Sequence, residues 1–234
     1  MILTLLLGSA LGINAQESQK NHISFNPANL AFGTLQVQYE RGINKDMTVG
    51  LSLGTKFSSG IFKISGFDSN DIKTNDFSYT GIKLIPEYRW YLQNTDKSYT
   101  GFYVGAYYKF QSYTDDVKGT YYSTSGETSP IDVKAKLVSN AFGLEAGYKL
   151  PIKKHFFIDF VIMGPGYSSN SLTITKNQPL PLEFYKDAIK GLKNKYDFLG
   201  QIGDKEFKHN GDNTSTVSFG LPAFRYGINL GYSF

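Results

Sequence analysis

The sequence predicts an all-β chain: an eight-stranded antiparallel up-and-down transmembrane β-barrel with one helix-containing external loop. Three observations point there. The first is the closing stretch, where Phe224, Tyr226, Ile228, Leu230, Tyr232 and Phe234 alternate with Arg225, Gly227, Asn229, Gly231 and Ser233. A period of two marks a strand with two different environments. Its second face carries glycine where a solvated face would carry Lys, Glu and Thr. A narrow closed barrel accounts for that, with large residues against lipid and small or polar ones in a tight lumen. A soluble barrel is the alternative. The second observation is composition: 17 Tyr, 18 Phe and 24 Gly against a single Trp suit aromatic girdles and turn-rich β structure. The third is the alternation of short and long connections between strand-like segments.

Taken in order, strand one is the short Asn21 to Asn26, broken by Pro27 and Asn29. Strand two, from about Phe32 to Arg41, alternates Leu35, Val37 and Tyr39 with Gln36, Gln38 and Glu40. A tight turn at Ile43 to Asp46 leads to strand three, where Met47, Val49, Leu51 and Leu53 alternate with Thr48, Gly50, Ser52 and Gly54. Residues 60–76 read as a polar loop. Strand four, from about Phe77 to Leu92, sets Ile82, Leu84, Tyr88 and Trp90 against Lys83, Ile85, Glu87 and Arg89. Pro86 within it removes a ladder donor or marks a bulge.

Strand five alternates Phe102, Val104, Ala106, Tyr108 and Phe110 with Tyr103, Gly105, Tyr107 and Lys109, and residues 112–132 read as a second polar loop. Strand six runs from Val138 to Leu150, and strand seven alternates Phe156, Ile158, Phe160 and Ile162 with Phe157, Asp159, Val161 and Met163. A long loop, residues 167–213, precedes strand eight. Connections after strands two, four and six are short, while those after strands three, five and seven run to roughly 15, 20 and 45 residues, as expected of periplasmic turns and external loops. That assignment puts both chain ends on the periplasmic side.

The bulk properties exclude several function classes. The net charge of +4 is modest and no dense basic run suggests nucleic acid. Cysteine is absent, which removes disulfides, thiol chemistry, Cys-ligated metal and a lipoprotein anchor. Residues 1–15, MILTLLLGSALGINA, read as a secretory signal peptide without the usual positive n-region, leaving a barrel domain over 16–234; a buried N-terminal strand or helix is the alternative. Beyond residue 15 nothing approaches the ~20 apolar residues of a transmembrane helix.

The stretches NHISFNPANLAFGTLQVQYERGI, IPEYRWYL, GFYVGAYYKF and FRYGINLGYSF resemble the small eight-stranded outer-membrane barrels common in Bacteroidetes, grouped as a domain of unknown function. The resemblance covers about residues 20–234, and the architecture is similar to the OmpA/OmpX-type barrels. The terminal aromatic Phe234 resembles the closing residue of such barrels, which implies recognition by the barrel assembly machinery. The resemblance implies a bacterial outer-membrane location, a monomer, and lipid and lipopolysaccharide as surroundings. It supplies no catalytic residue and no cofactor.

Three groups of residues are candidates for chemistry. Glu40, Glu87, Arg89, Glu145, Lys149 and Asp159 share inward parity near the periplasmic ends of their strands, and unpaired charges in so narrow a lumen would be costly. They form either an ion-paired plug or a gated ion path. In residues 182–199, Leu182, Tyr185, Ile189, Leu192, Tyr196 and Leu199 recur at helical spacing with Lys186, Lys190, Lys193 and Lys195 largely between them. That is an amphipathic helix, serving as a lid over the barrel mouth, a partner-binding element, or a basic surface on lipopolysaccharide. Third, His209 with Ser215 or Ser218 is the one pair placed as a lipid-modifying enzyme would need. No two histidines are spaced to share a metal. The sequence thus favours a non-enzymatic outer-membrane barrel acting through its external loops. A narrow pore or small-ligand binding and transport barrel is the alternative, with a lipid A-modifying enzyme behind both.

Overall fold

The structure, a computed structural model, describes residues 19–58, 60–62, 64–93, 99–195, 206–211 and 213–234, with Leu192 and Lys195 described in backbone only. The expected signal peptide, along with Tyr196 and Leu199, lies outside these residues. The elements run β1 (Asn21–Phe25), α1 (Pro27–Ala31), β2 (Thr34–Gly42), β3 (Met47–Lys56), β4 (Ile72–Thr74), β5 (Thr80–Tyr91), β6 (Gly101–Tyr122), β7 (Thr128–Pro151), β8 (Phe156–Lys176), α2 (Leu182–Lys195), β9 (Lys208–Asn210) and β10 (Thr214–Ser233).

All strands belong to one antiparallel ten-stranded sheet. Its hydrogen bonding returns on itself through β1, β2, β3, β5, β6, β7, β8 and β10, because β1 pairs with both β2 and β10. Asn21 N–H donates to Phe234 O and Phe234 N–H to Asn21 O, so both ends of the described chain meet at one rim. The short turns at 43–46 and 152–155 lie at that rim too. Around the ring, alternate residues are buried inside while Ile23, Val37, Leu51, Tyr88, Val104, Leu144, Ile162 and Ile228 stand exposed outside.

Four expectations are corrected or refined. First, the sheet has ten strands, eight in the ring and two added to it: β4 pairs with β6 within the supposed loop 60–76, and β9 pairs with β10 within 167–213. Second, most of residues 112–132 is strand, since β6 and β7 form one hairpin paired from Gly101↔Lys149 to Tyr122↔Thr128. Likewise β8 extends to Lys176, well into the expected long loop. These upper strand segments alternate as well, but their outer residues are Thr, Lys, Asp and Ser, so polarity alone imitated a loop.

Third, β8 carries a bulge. Ala146 pairs with Met163 but Gly147 with Val161, so Ile162 and Met163 both face outward, 58% and 54% exposed, and Met163 is not an interior residue. An extra residue on one strand of a pair reverses parity beyond it. Fourth, α2 buries the expected face only in part: Tyr185 and Ile189 pack against the core, but Leu182 is exposed. Pro86 has a milder effect than a bulge: pairing to β6 resumes from Leu84↔Phe110 to Glu87↔Tyr107 with no change of register.

The ring is uneven in height. Above the apolar band, β6, β7, β8 and β10 continue upward, and α2 packs against their inner side. Ile72, Tyr121, Ile131, Val133, Ile174, Phe184, Tyr185, Ala188, Phe207 and Val217 form a buried apolar core there. Within it Phe184 meets Tyr121 edge-on, with ring centroids 5.6 Å apart.

Candidate functional site

The interior of the lower ring is polar because the strands that build it present small or charged residues at every second position. On β5, Glu87, Arg89 and Tyr91 point inward in succession. Room for them comes from glycine on the facing strands: a Cβ added at Gly50 would lie 2.8 Å from Glu87 Cγ. At Gly147 the ring of Tyr103 lies over the backbone where a Cβ would stand.

Arg89 is the hub, and it is fully buried. Its Nε lies 2.8 Å from Glu87 Oε1 and 3.0 Å from Glu145 Oε1. Its Nη1 lies 3.2 Å from Glu40 Oε2 and 2.9 Å from Asp159 Oδ2. The guanidinium sits 4.3 Å from the centroid of the Tyr103 ring. Lys149 Nζ donates to Glu40 Oε2 at 2.9 Å and rests against the rings of Tyr91 and Phe157. Arg225 reaches from β10 to Glu87 and Glu145.

Neutral donors complete the set. Tyr91 Oη donates to Glu40 Oε1 at 2.7 Å, Tyr103 Oη to Asp159 Oδ1 at 2.8 Å, and Asn229 Nδ2 to Asp159 Oδ2 at 3.2 Å. Gln38 Nε2 donates to Glu87 Oε1. Every carboxylate oxygen of Glu40, Glu87, Glu145 and Asp159 therefore accepts at least one hydrogen bond. Such pairing offsets the desolvation that would otherwise make buried ions untenable.

All six charged residues singled out in the sequence thus come together, and the structure adds Arg225, Tyr91, Tyr103, Gln38 and Asn229. The parity of Arg225 was readable. Its participation was not, because it is the ring that sets β10 across the interior from β5, where Arg225 meets Glu87. Below the cluster lies an aromatic floor of Tyr91, Tyr99 and Tyr103. His22 adjoins it, with ring centroids 5.8 Å from Tyr99 and 5.6 Å from Phe157. Seven interlocked ions above and packed rings below fill the lower interior.

The two other candidates lie in the upper region. Leu182 is 70% exposed, whereas Phe184, Tyr185 and Ala188 are buried and Ile189 is partly so. The buried face of α2 is turned from the expected one, because aromatic Phe184 fills the space beside Tyr121. Lys186 and Lys190 are exposed. His209 Nδ1 lies 2.8 Å from Ser215 Oγ, while Ser218 is exposed on the opposite face of β10. Ser215 is only 2% exposed, and among the described residues no carboxylate hydrogen-bonds His209, so no triad is assembled. Among the described residues no group of three or more His, Asp or Glu is placed to hold a metal ion.

No curated protein and no solved structure matches the chain. A family model described as a protein of unknown function, DUF3575, matches residues 1–178, which include Glu40, Glu87, Arg89, Glu145, Lys149 and Asp159 but not Arg225 or α2. The chain belongs to that family.

Proposed function

We propose that the chain is a non-enzymatic integral protein of a bacterial outer membrane: an eight-stranded, OmpA/OmpX-like β-barrel, closed by its ion-paired plug, that acts through the region above the membrane. The observation that carries this reading is the inverted polarity of the ring. Outside, each long strand shows a run of large apolar residues, as on β10 from Phe224 to Tyr232 and on β7 from Phe142 to Leu150. These runs match the ~9–11 residues a tilted strand needs to cross the hydrocarbon. Inside are ions. A protein dissolved in water would not place Leu144 at 68%, Phe224 at 66% and Tyr226 at 82% exposure on one belt over a charged interior.

The rim holding the chain ends and short turns faces the periplasm, and the tall side with α2 faces outward. The belt is in contact with lipid and lipopolysaccharide, and Phe234 is the residue offered to the barrel assembly machinery. The plug favours a closed scaffold over a pore, so specific contacts belong to α2 and the strand tips, where loops held by a rigid scaffold carry function. Envelope fractionation after expression in a Gram-negative host, with unheated and heated samples compared by gel electrophoresis, tests the location. A heat-modifiable band in the outer-membrane fraction is expected. Soluble protein with no heat shift would overturn the reading. Planar-bilayer recordings are expected to show no steady conductance, and a stable open channel would favour the pore instead.

A further inference from the structure

We propose that the wall of the barrel carries a binding site for a phosphate-bearing amphiphile: Lys83 and Lys109 hold the head group inside, and the chain leaves to the lipid through a seam between β2 and β10. The proposal rests on the outer-membrane reading above. The seam follows from the shortness of β1. Its pairing with β10 stops at Phe25↔Leu230, whereas β10 continues upward to Thr214. The next strand on that edge is β9, which pairs with residues 214–216 alone. Between them the described edge of β10 faces no strand. The short helix α1 lies there, touching both β2 and β10, with Asn26 Nδ2 donating to Asn229 Oδ1 at 3.1 Å.

A cavity of about 150 Å³ opens at this place. Its lining includes Gln36, Lys83, Lys109 and Arg225 from the interior face, together with Phe224 and Tyr226 from the lipid face. On β10 the cavity is lined by the consecutive Phe224 to Gly227, within the stretch whose edge faces no strand. The cavity thus lies above the plug at the gap in the wall.

The charges there are unbalanced. Arg225 is bound to Glu87 and Glu145 of the plug. Lys83 Nζ contacts the neutral Gln36 Oε1 at 3.2 Å, and among the described residues neither Lys83 nor Lys109 forms an ion pair. Two ammonium groups in a confined, poorly solvated space repel each other, and an anion between them relieves that repulsion. Phosphate, with three acceptor oxygens, suits two point-charge donors.

A second observation places the opening at the edge of the apolar belt. Leu30 of α1 and Phe32, Phe57, Ile61 and Phe62 beside it are all exposed, with the rings of Phe32 and Phe62 in contact, and together they make an apolar lip. Ile61 and Phe62 N–H both donate to Ala31 O, and Phe57 N–H donates to Gly33 O. That lip extends the lipid-facing surface over the seam, on the low side of the ring.

Full-length protein in neutral detergent should bind dodecyl phosphate one to one by native mass spectrometry, and its melting temperature should rise with ligand concentration. Dodecanol should do neither, and inorganic phosphate should bind at least tenfold more weakly than dodecyl phosphate. A Lys83→Gln, Lys109→Gln double variant should lose dodecyl phosphate affinity by tenfold or more. Tyr226→Ala should weaken dodecyl phosphate binding and leave inorganic phosphate binding unchanged. Dodecanol binding as tightly as dodecyl phosphate would overturn the role of the lysines. Inorganic phosphate binding equally well would overturn the seam. Each variant is first checked for the heat-dependent gel shift, so failure of binding in a heat-modifiable protein is separable from failure of the outer-membrane reading.

Discussion

The lower ring and the upper extension are made by the same strands, yet they invert each other. On β7, Lys149 and Glu145 point inward while Leu144 and Phe142 point out; higher on the same strand, Ile131 and Val133 point inward while Lys134 and Lys136 point out. β10 does the same, from buried Arg225 and Asn229 with exposed Phe224 and Tyr226 to buried Val217 with exposed Ser218. The period of two is unbroken along these strands; the sign of each face changes where the surroundings change. Below, the exterior is an apolar belt, which the proposed membrane location sets against hydrocarbon, and the charges gathered inside must pair. Above, the exterior meets water, and a conventional apolar core forms between α2 and the strand tips. Cohesion therefore comes from ions in one region and from apolar burial in the other.

The largest expected effect separates these two kinds of cohesion. Arg89→Ala leaves four buried carboxylates with Lys149 and Arg225 alone, and breaking a buried network in this way costs about 3–5 kcal/mol. Lys153→Ala, in an exposed turn, should cost almost nothing. Equal shifts in melting temperature for the two variants would show that the ions contribute no cohesion. Deleting residues 179–210 tests the other half. The ring should remain heat-modifiable, but the tips of β6 and β7 would lose the packing of Phe184, Tyr185 and Ala188. Trypsin should then cut at Lys118, Lys134 or Lys136, whose paired strands should resist it in the intact protein. If the deletion abolishes the heat shift, the two regions are one cooperative unit.

A matched pair of surface changes tests the inversion directly. Leu144→Arg places a charge in the middle of the apolar belt, at a cost of about 2–4 kcal/mol in lipid. Thr173→Arg, on the outer face of the upper extension, should fall within about 0.5 kcal/mol of wild type. Thr173 Oγ1 lies 3.1 Å from Thr216 Oγ1, and losing that cross-strand bond is part of the small change. Refolding titrations into lipid vesicles measure both. Indistinguishable costs would mean that the belt does not meet lipid.

The inversion also explains what was legible. Where one face is apolar and the other small or charged, as from Phe102 to Phe110 or from Phe224 to Phe234, periodicity gave the strands and even the six plug ions. Where the outer face is Thr, Ser, Lys and Asp and the inner apolar residues are sparse, as at Val117, Tyr121, Ile131 and Val133, the same periodicity looked like loop. The bulge at Ile162 and Met163 could not be read, because an extra residue leaves no compositional trace. On α2 the spacing of Leu182, Tyr185 and Ile189 was real, but tertiary fit with Tyr121 and Phe207 selected Phe184 and Ala188 alongside Tyr185. Arg225 was missed because partners that meet across a closed ring are not neighbours in the chain.

The smallest expected effect lies in the upper core, at a buried hydroxyl that links β6 to α2. Tyr121 is fully buried, and its Oη donates to Asp187 Oδ2 at 2.8 Å. Burial, reinforced by the Asp187 carboxylate that accepts its proton, pushes the Tyr121 phenol well above its ordinary value of 10.0. The neutral phenol is thus the form the fold favours. In the unfolded chain the same group ionises near its ordinary value, so its contribution to stability is complete below about pH 10 and declines as pH rises above that. Tyr121→Phe removes the hydrogen bond but keeps the ring against Phe184, so it should cost about 1 kcal/mol at neutral pH. The gap between wild type and variant should narrow as pH rises past 10, since the phenylalanine has no proton to lose. Paired melting curves at pH 7 and pH 11 read that difference and cancel the other tyrosines, which the two proteins share. A gap that widens with pH would mean that the Tyr121 phenol ionises more readily in the folded protein, and that the upper core is not the dry apolar complement of the charged ring below.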